Sequence, residues 1–198
     1  MDGTTETCNS GTPKCKTLKT ALALAEGNDG GYTITLTKDV TEAASEATTT
    51  IGKGGSIVSK DFVPGFRSDK YKVTIGSVTT APYITVGDGS NAVTLTVTSV
   101  EFVIKSGSYG TALGRTNTAT DNKLTQNLFK VLASAVLDLY DVTVSGAENI
   151  NSEDATKFVS APLTVNVIDA SAGTLKLHYC NFTDLSLTDK ELLKINTA

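Results

Sequence analysis

An eight-residue pattern recurs along this chain: apolar, x, apolar, x, x, apolar, x, apolar. It reads Leu95, Val97, Val100, Phe102, then Leu137, Leu139, Val142, Val144, then Leu175, Leu177, Cys180, Phe182. A looser copy is Val73, Ile75, Val78, with Thr80 in the last place. Side chains of a straight strand alternate strictly between two faces, so the apolar parity cannot switch partway along one. Two short strands joined by a bend can keep both halves facing one core. Stacking the copies predicts four inward ladders: Val73/Leu95/Leu137/Leu175, Ile75/Val97/Leu139/Leu177, Val78/Val100/Val142/Cys180 and Thr80/Phe102/Val144/Phe182.

The copies begin at 73, 95, 137 and 175, steps of 22, 42 and 38 residues. A third apolar strand precedes each later copy: Ile84-Val86, Phe129-Val131 and Leu163-Val167. This predicts a three-strand coil of about 22 residues, with insertions in two coils near 105–126 and 145–157. In the coil starting at Val73 only Ala81 and Pro82 separate the second and third strands. Both insertions therefore leave at one corner of successive coils, and they are expected to lie side by side with Tyr109, Arg115, Asn149 and Glu153 on one surface.

Ahead of the coils, residues 16–26 predict a helix, with Leu18, Ala21, Leu22 and Ala25 on one face. Thr17 can cap its start, and Gly27 can take a left-handed C-terminal cap. So short a helix must dock on something, and its single apolar face suits the end of a coil stack. The chain is then a single domain: a segment over 1–15, a capping helix over 16–26 and coils over 32–198. The only Met, at position 1 before Asp2-Gly3-Thr4, and the apolar Leu192-Leu193-Lys194-Ile195 fit a piece cut from a longer chain.

Composition supports an all-β reading. The chain of 198 residues contains 32 Thr, and Thr, Val and Ile favour a pleated, half-buried surface. A net charge of −4 sets up no attractive field for nucleic acid or anionic lipid. No run approaches the roughly 18–20 apolar residues needed to span a bilayer. One His, no Trp and two Arg leave little material for catalysis.

A three-strand coil opened by a short amphipathic helix resembles the right-handed parallel β-helix of the pectate-lyase-like superfamily. Cys15-Lys16-Thr17-Leu18-Lys19-Thr20-Ala21-Leu22 followed by Ile34-x-Leu36 is similar to the opening of many surface β-helix proteins, and Cys180-Asn181-Phe182 looks like their strand motif. The resemblance implies an all-β, right-handed parallel β-helix with an N-terminal capping helix, in a secreted or cell-surface protein.

Polysaccharide lyases and hydrolases share that fold, so a carbohydrate-active enzyme or carbohydrate-binding module is the alternative. A lyase needs Ca²⁺ carboxylates beside a base, and a hydrolase needs paired carboxylates. Asp138 has Thr96 and Lys176, not a second carboxylate, at its position in neighbouring copies. Asp138 and Asp141 straddle the bend and should point in different directions. His178 reads as a surface residue and Cys180 as core, so no catalytic residue is assigned. Cys8, Cys15, Cys180 and His178 lack zinc spacing. Gly52-Lys53-Gly54-Gly55 lacks phosphate-loop spacing, and Gly87-Asp88-Gly89-Ser90-Asn91 has too few carboxylates for Ca²⁺. No metal or cofactor is expected. Outward Thr94, Thr96 and Thr98 align with Val136, Asp138 and Tyr140, so no Thr ladder builds an ice-binding face.

Cys8 and Cys15 lie seven apart around Gly11 and Pro13, a segment able to turn back into a small-loop disulfide. Asn181-Phe182-Thr183 is the single N-glycosylation sequon, with Asn181 facing solvent. Aromatic and Arg residues are enriched at interfaces, which marks Phe62, Phe66, Arg67 and Tyr71 around Pro64-Gly65, and Tyr109 and Arg115, as contact candidates. The expected role is structural or adhesive: a stiff rod that binds a protein partner or itself, with carbohydrate as the other ligand class.

Overall fold

The computed structural model describes residues 15–27, 30–42, 49–63, 69–75, 81–104, 124–146, 163–185, 187 and 189–196. After helix α1 (Leu18–Glu26) the chain winds through five three-strand coils. Coil 1 holds β1 (Tyr32–Leu36), β2 (Val40–Thr41) and β3 (Thr49–Ile51); coil 2 holds β4 (Gly55–Ser59), β5 (Tyr71–Ile75) and β6 (Ile84–Val86). Coil 3 holds β7 (Val93–Thr98), β8 (Val100–Ile104) and β9 (Phe129–Val131); coil 4 holds β10 (Ala135–Tyr140), β11 (Thr143–Gly146) and β12 (Ile168–Ala170). Coil 5 holds β13 (Thr174–His178), β14 (Asn181–Thr183) and β15 (Leu193–Ile195). First strands pair with first, second with second and third with third, giving three parallel five-stranded sheets in a right-handed parallel β-helix.

Each sheet sends ladders of side chains inward. Ile34, Ile57, Val97, Leu139 and Leu177 stack in the first sheet. Val40, Val73, Phe102, Val144 and Phe182 stack in the second. Thr49, Ile84, Phe129, Ile168 and Leu193 stack in the third. Phe102 and Phe129 meet edge to face across the interior, ring centres 5.2 Å apart, which ties the second sheet to the third.

The predicted ladders hold for the later copies: Leu95/Leu137/Leu175, Val97/Leu139/Leu177 and Phe102/Val144/Phe182 are in register. Placing Val73 beneath Leu95 and Ile75 beneath Val97 is wrong. Val73 pairs with Phe102 and Ile75 with Ile104, both in the second sheet. Val78 and Thr80 lie outside the described residues. The first-sheet strand of coil 2 is β4, Gly-Ser-Ile-Val-Ser, which presents one strong inward residue, Ile57. Gly55 fills the slot that Leu95 holds above it, because the Tyr32 ring lies there: a Cβ on Gly55 would come within 2.5 Å of that ring.

The first-sheet steps Ile34 to Ile57, Val97, Leu139 and Leu177 are 23, 40, 42 and 38 residues, so three coils carry insertions, not two. The unforeseen one is the connection 60–70, between β4 and β5. The other two leave from one corner, as expected: Ile104 pairs with Gly146 where the chain departs, and Phe129 with Ile168 where it returns. Tyr109, Arg115, Asn149 and Glu153 lie outside the described residues. The third strand of coil 4 is Ile168–Ala170 in place of Leu163–Val167; Leu163 forms only a bridge to Leu187.

Helix α1 begins at Leu18, with Thr17 as its N-cap accepting from the Thr20 N–H at 3.2 Å. Leu18, Ala21 and Leu22 are buried over coil 1. The buried Glu42 reaches the helix start, and its Oε1 accepts the Leu18 N–H at 2.7 Å. At the other end Glu26 Oε2 accepts the Gly52 and Lys53 N–H groups at 2.8 and 3.1 Å, fastening helix to first turn. Gly27 has φ −72° and stays right-handed, so the expected left-handed cap is absent.

The far end differs. Leu137 and Leu139 are fully buried, whereas Leu177 one coil on is 38% exposed and Leu175 and Phe182 are half-buried. Cys180, expected in the core, is half-buried for the same reason: coil 5 has a neighbour on one side only among the described residues.

Candidate functional site: an aromatic corner

The bend between first and second strands is made by one residue in the left-handed region: Ser99 (φ 53°) in coil 3, Asp141 (φ 52°) in coil 4 and Tyr179 (φ 57°) in coil 5. That single residue resets the side-chain parity and explains the switch inside the repeat. Non-glycine residues resist this conformation by about 1–2 kcal/mol, so the surroundings must hold it. They do: the Ser99 N–H donates to Tyr140 O at 2.9 Å and the Asp141 N–H to His178 O at 2.7 Å. Ser99 Oγ donates to Asp141 Oδ2 at 3.1 Å.

The 60–70 connection is anchored on this corner. Lys70 Nζ lies 3.0 Å from Asp141 Oδ1 and donates to Thr143 Oγ1 at 2.9 Å, so a coil 2 residue clamps coil 4. Ser59 Oγ donates to Ser99 O and accepts the Tyr71 N–H. The Tyr71 hydroxyl donates to Asp61 Oδ2 at 2.8 Å, and that bond raises its pKa.

These anchors set Phe62 against Tyr140, edge to face, with ring centres 6.0 Å apart. Tyr140 also meets Tyr179 edge to face at 5.6 Å and His178 at 6.1 Å. Four rings from coils 2, 4 and 5 thus share one outer corner, and Tyr179 is 80% exposed. Asp138 Oδ1 lies 3.5 Å from His178 Nε2, an ion pair when the imidazole is protonated. Lys176 pairs in register with Asp138, so both charges flank the rings. The cluster offers ring faces and edges beside a carboxylate, an imidazole and an ammonium, the makings of a binding surface.

Burial pushes the Cys180 thiol up, and its Sγ contacts Leu139 O at 3.4 Å. Asp138 and Asp141 find different partners, as their places either side of the bend predict. Asp138 stacks between Thr96 and Lys176, so no second carboxylate adjoins it on the strand ladder. The Gly87–Asn91 segment is a turn: Asp88 Oδ1 accepts the Ser90 and Asn91 N–H groups, both at 2.8 Å. Gly54 (φ 78°) lies so close to Thr94 O that a Cβ would approach it to 2.9 Å, which accounts for the glycine-rich turn without a phosphate.

Among the predicted contact residues, Phe62 joins the cluster and Tyr71 stands beside it. Phe66, Arg67, Tyr109 and Arg115 lie outside the described residues, as does Cys8; Cys15 is buried beside the helix start. Asn181 opens β14 with its side chain exposed and its N–H donating to Val142 O at 2.9 Å. Tyr140, His178 and Tyr179 were not foreseen. The ladder pairing of Tyr140 with His178 was available from the repeat; the orientation of Tyr179 hangs on one φ angle. No protein-family model matches the chain, and the searches of curated proteins and of solved structures each find no match.

Proposed function

We propose that this chain is a structural or adhesive domain of a secreted or cell-surface protein. It is a stiff solenoid of the pectate-lyase-like kind that presents a contact surface at a corner and does no catalysis. The observation that carries this reading is the aromatic corner, where an 80% exposed Tyr179 is held against Tyr140 on a rigid ladder. A large exposed ring on a fixed scaffold loses little conformational entropy when it binds. In the oxidising compartment this implies, Cys8 and Cys15 pair beside the cap and Asn181 is open to glycosylation. Mass spectrometry of the unreduced protein tests the bond, and two free thiols would remove it.

A second reading, a carbohydrate-binding or carbohydrate-active solenoid, is favoured by Asp138, Lys176 and His178 beside the rings. One experiment separates the two. The wild type, Tyr179→Ala and Asp138→Asn are passed over immobilised matrix proteins and a glycan array, and polysaccharide digests are followed in parallel. Retention on protein that Tyr179→Ala abolishes supports adhesion. Retention on glycans, or cleavage lost in Asp138→Asn, supports the second reading. Retention unchanged in Tyr179→Ala would remove the corner from either role.

A further inference from the structure

The chain has a single histidine, and it stands in the aromatic corner. His178 Nε2 lies 3.5 Å from Asp138 Oδ1, and the imidazole centre lies 6.1 Å from that of Tyr140, the two rings tilted by 32°. Tyr140 in turn meets both Phe62 and Tyr179. The His178 carbonyl accepts the Asp141 N–H at 2.7 Å, so the backbone that carries the imidazole is tied to the left-handed bend of coil 4. These contacts of His178 all run back to coil 4, so they do not depend on the outer edge of coil 5. The ionisable groups around the imidazole are few. β10 brings Asp138 and the Tyr140 phenol, and the coil 4 bend brings Asp141, whose carboxylate is held by Lys70 and Ser99. Its own strand brings Lys176, in register with Asp138, and the next two residues are Tyr179 and Cys180. The 60–70 connection brings Phe62, while its Asp61 accepts from the Tyr71 hydroxyl. Lys70 offsets Asp141 and Lys176 offsets Asp138, so the corner is neutral while the imidazole is neutral.

We propose that the aromatic corner is a proton-operated contact surface, switched by the charge on His178. Histidine is the side chain whose ordinary titration falls between about pH 5 and 8. On the acid side of that range the imidazolium pairs with the Asp138 carboxylate. It also brings its charge to the Tyr140 ring, near the roughly 6 Å at which a cation is drawn to a ring face. The corner then carries one net positive charge, and the Asp138 carboxylate is engaged. On the basic side the imidazole is neutral, that ion pair is gone, and Asp138 can accept a donor from a partner instead. Acid therefore changes both the charge and the acceptors that the corner offers. The inference rests on the corner as the contact surface proposed above, but the switch is read without any partner, so the two can fail separately.

The probe is the proton itself, followed by NMR of the whole chain from about pH 5 to 8. The imidazole carbons of His178, the Asp138 carboxyl carbon and the ring signals of Tyr140 are read together, and they are expected to move with one common midpoint. The ring signals of Tyr32, far off on coil 1, should stay still. His178→Gln should flatten the Asp138 and Tyr140 curves. His178→Phe keeps a ring against Tyr140 without a titrating proton and should flatten them too, which keeps the test decisive if the Gln variant disturbs the bend. Asp138→Asn takes away the carboxylate that draws the imidazolium in, so it should shrink the Tyr140 shift at least about twofold. Circular dichroism and a thermal melt at about pH 8, where histidine is ordinarily neutral, check that each variant folds. Asp138 and Tyr140 signals that stay flat in the wild type, that follow a midpoint other than that of His178, or that still move in both His178 variants would each overturn the inference, as would a Tyr140 shift unchanged in Asp138→Asn.

Discussion

Replacing Glu42 tests how the solenoid is closed at its first coil. Glu42 is 3% exposed and its Oε1 accepts the buried Leu18 N–H at 2.7 Å, at the start of a nine-residue helix. A helix start leaves four N–H groups without intrahelical acceptors. Thr17 takes one of them, Thr20 N–H, and Glu42 takes another from a distant strand. A hydrogen bond to a charged group contributes about 1.5–3 kcal/mol, and a carboxylate near a helix N-terminus adds about 0.3–1 kcal/mol. Glu42→Ala removes both and leaves the Leu18 N–H buried, so it should cost about 2–4 kcal/mol. Glu42→Gln keeps a carbonyl acceptor and loses the charge, so it should cost about 1–2 kcal/mol. For a domain of this size the larger figure is a fall in Tm of roughly 4–16 °C. Urea melts of both variants give the energies, and amide exchange at Leu18 to Leu22 locates the loss. Exchange there should quicken before the coils are touched, because so short a helix does not persist without its docking contacts. A Glu42→Ala cost below about 0.5 kcal/mol, or equal costs for Ala and Gln, would refute the argument that this charge holds the cap.

Leu139 sits mid-ladder and fully buried, so Leu139→Ala should cost about 2–5 kcal/mol in a urea melt; less than about 1 would contradict its packing. At Tyr179 the usual order of small residues should invert. Both Tyr179→Ala and Tyr179→Gly lose the ring, but only glycine is at ease at φ 57°, so the glycine variant should melt as the more stable by about 1 kcal/mol. Asp88 should titrate at about 2, below its ordinary 3.8, because the N–H groups of Asn91 and Ser90 hold its carboxylate charged. Its contribution to the turn is then complete above pH 3.8 and lost as pH falls through about 2, which carbon NMR of the carboxyl would follow; a midpoint near 4 would dismiss those bonds.

The fold was legible because three copies of the repeat carry strong apolar residues at every inward place. Leu95, Leu137 and Leu175 make one inward ladder, and Val97, Leu139 and Leu177, two residues on, make a second on the same face, so the two fix one register. Legibility failed where an inward place is filled from elsewhere. Gly55 hides the first strand of coil 2 because the Tyr32 ring takes the space its side chain would fill. With β4 hidden, Val73 reads one sheet too early, the copy at 73 opens a spurious 22-residue coil, and the 60–70 connection goes uncounted as an insertion. The candidate site was half legible for a related reason. Phe62 stood out as a loop aromatic near Pro64-Gly65, but its partner Tyr140 comes from a strand about 80 residues on, and only coil geometry joins them. Tyr179 follows a strand that alternates strictly, yet it points along a new direction because one backbone angle changes sign.

The corners divide the labour between holding the fold and meeting a partner. Between first and second strands, coils 3 and 4 turn on one left-handed residue, and the carbonyls of the next coil accept its N–H. Growth there would break a coil-to-coil hydrogen bond, so the turn stays short. Between second and third strands, the pairs Ile104–Gly146 and Phe129–Ile168 close the ladder on either side of the two long connections. Coil 2 departs from the first rule, and it does so with replacements in hand: Ser59 supplies the bond to Ser99 O, and Lys70 supplies the bond to Asp141. Those replacements are what allow a connection long enough to bring Phe62 to Tyr140. The insertion at this tight corner is thus held at both of its ends, and the rings it completes form the most exposed aromatic surface among the described residues.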